Sequence, residues 1–352
     1  MNKIPETLAL RRASDELLRL SSYWTPPVPP WKPLRKDPNS SLRIACVVGD
    51  RLYRGLRLEG ELLVLTPENW RRVLRFGKPD FLLVESFWNT ATGHWHMAQS
   101  VPSPGREELL DVVSLARRLS IPTVYWNTQD HVYHEPYKDF AGHFDHIFCA
   151  DPGEAEALRA EGVPAELLYP AVQPALYNPF RLSEHADAFS LGILYDGWAD
   201  LDRFTERLSV LRDVKKHGLA IIESRYEIFH LRRKRLPEYR DCILGCVTAK
   251  SRLMALRHAH AVVTCTHTIS SCTTQQWLTM ESAACRVPVV HHGESSRNDI
   301  RHGCIIPRPD RLDFLSEFVR FREDDLYRER VAHHGWRYVH QCHTYSHRMQ
   351  SI

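Results

Sequence analysis

From Leu42 onward, short apolar runs alternate with longer mixed stretches. The runs at 42–48, 62–65, 80–86, 122–127, 146–150 and 166–169 are rich in strand-forming residues, as in Phe81-Leu82-Leu83-Val84. Such runs, separated by helical stretches, belong to a parallel sheet covered on both faces. The intervening stretches at 67–75, 104–119 and 152–161 read as helices. Pro104-Gly105-Arg106-Glu107-Glu108 places a proline and acids at a helix start, where the helix dipole favours them. Tyr169-Pro170-Ala171-Val172-Gln173-Pro174 through Asn178-Pro179-Phe180 reads as a linker. A second series begins at Phe189, with strands at 189–194, 219–223, 242–246, 261–265, 287–290 and 304–306. Its helices are expected at 201–217, 249–258, 274–285 and 311–321, and the tail from Asp325 to Met349 as two helical pieces broken near Gly335. Ahead of all this, residues 5–22 have the leucine spacing of an amphipathic helix, followed by Pro26, Pro27, Pro29, Pro30, Pro33 and Pro38, a density no helix survives.

The pattern therefore predicts an arm over 1–40, a doubly wound α/β domain over 41–180 and a second over 187–335. A length of 352 residues suits two domains of about 150 residues each. Such sheets take ligands at the carboxyl ends of their strands, in the cleft between domains. The arm is either a helix packed on its own domain or a partner arm, through which the chain would form a homodimer.

Composition narrows the function classes. With 46 basic and 43 acidic residues the net charge is +3, so no strong field recruits nucleic acid or an anionic membrane. No apolar run approaches the roughly 18 residues of a membrane span, and the N-terminus lacks a basic-then-apolar leader pattern. Nine cysteines are scattered without a C-x-x-C pair, which suits free buried thiols in a reducing cytoplasm.

The order and spacing of several motifs carry a resemblance. In the first half they are Leu65-Thr66-Pro67-Glu68-Asn69-Trp70, Lys78-Pro79-Asp80-Phe81-Leu82-Leu83-Val84-Glu85-Ser86-Phe87-Trp88, Ile121 through Asp130, and Gln173 through Pro179. In the second half they are Arg225-Tyr226, Glu281 through Val290, and His343-Thr344-Tyr345-Ser346-His347-Arg348. On these, residues 42–350 resemble the spore-maturation-protein-like glycosyltransferases of bacteria, relatives of the group-1 glycosyltransferases with the GT-B fold. The resemblance implies two Rossmann-like domains facing a central cleft, the acceptor on the first and the donor nucleotide on the second. It also implies a C-terminal helix, 336–352, that crosses back to the first domain. The implied activity is metal-independent transfer of a sugar from a nucleotide sugar, of UDP type first, with no other cofactor. The acceptor is open among glycan, protein, modified nucleobase and small molecule. Three places depart from the family pattern. Trp277 and Leu278 stand where a basic pair is common, Tyr195-Asp196-Gly197-Trp198 replaces a Gly-rich turn, and Gln129-Asp130-His131 replaces Glu-Asp-Pro. The first two favour the alternative of a non-catalytic relative that binds nucleotide or glycan and supports a partner enzyme, while Glu281, Asp130 and the His343–Arg348 segment favour the enzyme.

Among single residues, Glu281 comes first. A carboxylate accepts two charge-assisted hydrogen bonds from a ribose diol. The alternative is an ordinary solvated helix residue. Thr273 and Trp277 share its helix stripe at four-residue spacing, and Trp277 would pack beside the nucleotide. Thr273 and Thr274 are either helix caps or phosphate contacts. Arg225 would clamp phosphate oxygens or form a surface salt bridge, with Lys250 a weaker phosphate candidate. Tyr195, in the altered turn, completes the donor set. For the acceptor, Glu85, Asn127 and Asp130 end buried strands. Glu85 and Asp130 are the candidate general bases, or else hold the cleft loops, and His131 and His134 are candidate proton carriers. No metal site is expected. Asp200-Leu201-Asp202 reads as a helix cap, His94-x-His96 and His258-x-His260 lack a third ligand, and the basic run 231–236 reads as a solvated loop.

Overall fold

The computed structural model describes residues 42–100, 102–129, 134–180, 191–197, 205–222, 239, 241–245, 247–265, 272–293 and 303–352. The arm over 1–40, Asp130, His131, Arg225, the 200–202 motif and the basic run lie outside the described residues. So do the side chains of Thr273 and Thr274. The described residues divide into two compact units: one holds those up to Gln173, those of Ile269–Thr274 and those of His343–Ile352, the other those of Pro174–Thr268 and Gln275–Cys342.

The first unit runs β1 (Arg43–Val47), α1 (Asp50–Leu56), β2 (Glu61–Val64), α2 (Trp70–Phe76), β3 (Phe81–Glu85), α3 (Pro104–Arg118), β4 (Thr123–Asn127), α4 (His134–Ala141), β5 (His146–Cys149), α5 (Pro152–Ala160) and β6 (Ala165–Leu167). Its six strands pair in parallel in the order β2-β1-β3-β4-β5-β6. Successive strand residues feed opposite cores. Ala45, Val47, Leu82, Val84 and Tyr125 pack on the face with α3 and α4, while Ile44, Cys46, Leu83, Val124 and Trp126 pack on the other with α1. This double coverage explains the unbroken apolar runs.

The second unit runs β7 (Ile193–Asp196), α6 (Thr205–Lys215), β8 (Leu219–Ile222), β9 (Ile243–Gly245), α7 (Ala249–His258), β10 (Ala261–Cys265), α8 (Cys272–Ala284), β11 (Val289–His292), β12 (Ile305–Arg308), α9 (Arg311–Glu323) and α10 (Asp325–Cys342). Its parallel sheet has the order β12-β11-β10-β7-β8-β9, the strand order of a dinucleotide-binding fold. Here too the strands alternate between two cores, Leu194, Val262 and Val289 in one and Ile193, Val263 and Val290 in the other. The fold class read from the sequence therefore holds: both sheets are doubly wound α/β.

Two readings are corrected. First, α1 and α4 were not anticipated; both are short, and each carries a residue that reads as a breaker, Gly55 and Pro136. Second, the tail is not broken near Gly335, where α10 continues. A Cβ there would lie 3.3 Å from the Ala283 Cβ, so this glycine serves close packing rather than a turn. The break falls at His343-Thr344, before α11 (Tyr345–Ser351), which Thr344 caps through a capping box with His347. The segment read as a linker holds the boundary between the two units, at Gln173 and Pro174, and its first part is a buried strap. Val172 N–H donates to the His343 carbonyl at 3.0 Å, and Tyr345 N–H to the Val172 carbonyl at 3.2 Å. Arg348 Nε donates to the Tyr169 carbonyl at 2.7 Å and its Nη2 to that of Pro170 at 2.9 Å.

Cys46, Cys149, Cys242, Cys265, Cys285 and Cys304 are buried and outside any disulfide, and burial pushes the Cys46 thiol up to about 12. Among the described residues, no helix is long and apolar enough to cross a membrane.

Candidate active site

In the first sheet the strand order reverses direction between β1 and β3, and a crevice at such a point is where doubly wound sheets hold ligands. Gly49, just past β1, and Glu85, the last residue of β3, meet there. Gly49 N–H donates to Glu85 Oε2 at 2.7 Å, and the Thr128 hydroxyl donates to Oε1 at 2.8 Å. A side chain at Gly49 would place its Cβ 3.2 Å from that carboxylate, so glycine lets the backbone amide come this close. The Glu85 carbonyl accepts from Gln99 Nε2 at 2.8 Å, which fixes the strand end. Glu85 is only 6% exposed. Burial pushes its carboxyl up to about 7, against the opposing pull of the Gly49 amide, the Thr128 hydroxyl and the Arg51 charge. A carboxyl poised there exchanges a proton near neutrality.

Asn127 stands elsewhere in its bonding. Its Nδ2 donates to Glu154 Oε1 at 3.0 Å, and its Oδ1 accepts from Gln129 N–H at 3.1 Å. Glu154, fully buried on α5, is also 3.0 Å from His134 Nδ1, whose other ring nitrogen lies 3.3 Å from Glu161 Oε1. Burial lowers the His134 pKa, but Glu161 and Glu154 together outweigh it and raise the value above the ordinary one. These groups pin α4 to α5 and to the end of β4.

In the second sheet the order reverses between β7 and β10. Glu281 lies near the end of α8, which follows β10, and is 1% exposed. Its Oε2 is 2.7 Å from Nη1 of Arg252 on α7, and Arg252 Nε is hydrogen-bonded to Asp196 Oδ2, at the end of β7. Burial works against the Arg252 charge, yet the two carboxylates hold its pKa well above the ordinary value. Trp277 is buried one turn from Glu281 on the same helix, as is Leu278. Tyr195 is buried in the core with Val210, Leu211 and Phe314. Lys250 is half-buried in the first turn of α7, where the Thr248 hydroxyl accepts from Ser251 N–H and caps the helix. Thr273 and Thr274 are in the first turn of α8.

Sequence reasoning missed Arg252, Asp196, Thr128 and Gly49. Asp196 was in view as part of the altered turn, but nothing in the chain joins it to Arg252, 56 residues away. Thr128 and Gly49 act across strands, and only the sheet order brings them to Glu85.

Two doubly wound parallel sheets, each with a reversal point in its strand order, define the fold class: the GT-B fold, with two Rossmann-like domains. No family model and no curated protein sequence matches the chain. Solved structures do. The chain is similar to HepE of Anabaena, solved in complex with UDP and glucose, at 10% identity and TM-score 0.57, over 88% of this chain and 98% of that one. It is also similar to the sucrose-phosphate synthase of Thermosynechococcus elongatus, at 12% identity and TM-score 0.51, over 81% of this chain and 75% of that one. At these identities the likeness shows the fold.

Proposed function

We propose that this protein is a glycosyltransferase that moves a sugar from a nucleotide sugar to an acceptor hydroxyl. The observation that carries the reading is the buried Glu281 carboxylate, held by Arg252 beside Asp196 at the reversal point of the second sheet. A ribose offers two hydroxyl donors, and an ionised carboxylate is the acceptor that suits them. UDP is the nucleotide to try first, because a protein of like fold is solved with UDP and glucose. The diphosphate would meet the first turn of α8, with Thr273 and Thr274, and cations from Arg225 and Lys250. Catalysis would be positioning plus stabilisation of the departing diphosphate, without a metal step. On the acceptor unit, Glu85 is the general base, taking the hydroxyl proton as the sugar bond forms, and Asp130 is the second candidate. Asn127 would support the acceptor loop through Glu154.

Thermal unfolding with UDP, GDP, ADP, CMP and dTDP tests this on wild type and Glu281→Ala. A ligand at a hundred times its dissociation constant adds about 2.7 kcal/mol, enough to raise the midpoint by several degrees. One nucleotide should stabilise wild type, and Glu281→Ala should bind it more than about tenfold more weakly, the loss of a charge-assisted diol contact. Equal binding by the variant rejects the assignment of Glu281.

One observation favours a second reading, a non-catalytic nucleotide or glycan binder. Trp277 and Leu278, at the places of the family's basic pair, are buried and supply no cation. Nucleotide binding without any donor hydrolysis or transfer would select that reading.

A further inference from the structure

Asp196, Arg252 and Glu281 come from three separate elements, β7, α7 and α8, and carry two carboxylates around one guanidinium. Their side chains are 13%, 14% and 2% exposed. A carboxylate as enclosed as that of Glu281 is stable as an ion only beside a cation. Its charge state decides what it can recognise. Ionised, it accepts hydroxyl hydrogen bonds at both oxygens; protonated, it gives up acceptor capacity and becomes a donor. The planar guanidinium can hold two carboxylates at fixed angles. Asp196 engages Nε and so sets the plane, which leaves the Nη1 end on Glu281.

We propose that Arg252 is a positioning residue for diol recognition, holding Glu281 as a charged acceptor for the vicinal hydroxyls of a ribose, with Asp196 orienting the guanidinium. The assignment deepens the nucleotide-sugar reading above and rests on it. Among the described residues, Tyr177 also acts on Arg252, and Cys285 on Glu281. Burial pushes the Cys285 thiol up to about 12, so it brings no charge near neutrality. Arg257, which also faces Cys285, donates to the carbonyls of Leu176 and Asn178. Arg252, at 2.7 Å, is a cation that the described residues set directly against Glu281.

The test is calorimetric titration of the full chain with UDP and with 2′-deoxy-UDP. It compares wild type, Arg252→Gln and Arg252→Lys at about pH 6.5 and about pH 9, a span that ionises a carboxyl stranded by burial. Arg252→Gln should bind UDP more than about tenfold more weakly at the lower pH and recover to within about threefold at the higher, as Glu281 regains its charge. At the lower pH it should also lose the wild-type preference for UDP over the deoxy analogue. Arg252→Lys, which keeps a cation, should stay within about fivefold of wild type at both pH values. Unchanged binding by Arg252→Gln overturns the proposal. So does a loss of the same size at both pH values, which is the mark of a structural role. If circular dichroism shows Arg252→Gln unfolded, Arg252→Lys decides alone: binding within that margin supports the assignment, and a loss above about tenfold overturns it. A wild type that binds no nucleoside diphosphate rejects the nucleotide reading itself, before the variants enter, and the diol assignment falls with it.

Discussion

At the scale of single residues, Glu85 makes the sharpest demand. Its carboxyl is raised by burial to about 7, so the folded state holds the proton more tightly than the unfolded chain. The stabilising contribution is therefore complete below the unfolded value of about 4.5 and gone once the pH has risen through about 7. Glu85→Gln removes that dependence. It should be no more stable than wild type in mild acid but more stable at pH 8, by up to about 3 kcal/mol, in denaturant unfolding at the two pH values. If Glu85 is the base, the same variant should transfer sugar about a hundredfold or more slowly while binding nucleotide normally. Glu85 was legible in the sequence because a carboxylate ending a buried apolar strand is conspicuous. So was Glu281, one acid among small and apolar residues. Their partners were not, because a hydrogen bond from Gly49 or an ion pair from Arg252 leaves no local periodicity.

At the scale of elements, Gly55 reverses a usual rule. In an exposed helix, replacing glycine by alanine stabilises by about 0.5–1 kcal/mol. In α1, an added Cβ would fall 2.1 Å from the Tyr345 ring of α11. Gly55→Ala should instead cost about 1–3 kcal/mol, the range for overpacking a core, and thermal unfolding reads the sign directly. The glycine that reads as a helix breaker is what lets α1 and α11 touch, which is why α1 escaped the sequence reading. The helix α4 should be pH-sensitive in the sense opposite to most carboxylate-held elements. The His134 pKa is raised by Glu161 and Glu154, so its contribution is full below the ordinary histidine value and is lost as the pH rises through the raised one. Protection of the α4 amides, relative to their intrinsic exchange at each pH, should fall above neutrality, and His134→Gln should abolish that fall.

At the scale of the whole molecule, the strand runs and their helical spacers were readable because parallel strands buried on both faces are apolar without interruption. What the pattern did not contain was the strand order, since register and neighbour are decided by crossovers rather than by composition. The two reversal points are consequences of that order, and they gather Gly49 with Glu85 and Asp196 with Glu281. If the nucleotide reading holds, UDP should slow amide exchange in the second unit, at the end of β7 and along α7 and α8, and leave β1 to β6 unchanged. Protection centred on the first sheet instead would place the nucleotide on Glu85 and reject the donor assignment.

The strap formed by Val172 with Thr344, and the packing of Tyr345, Met349 and Ile352 against Leu52 and Leu56, set a timetable for biosynthesis. A ribosome completes β6 long before it delivers α11. At about 5–20 residues per second, the α1 face of the first unit stays uncovered for on the order of ten seconds. During that interval the nascent unit would show an apolar patch that, among the described residues, α11 covers. Residues 42–173 made alone should therefore bind a hydrophobic dye and aggregate, and a chain stopped before Thr344 should depend on chaperones that the full chain soon leaves behind.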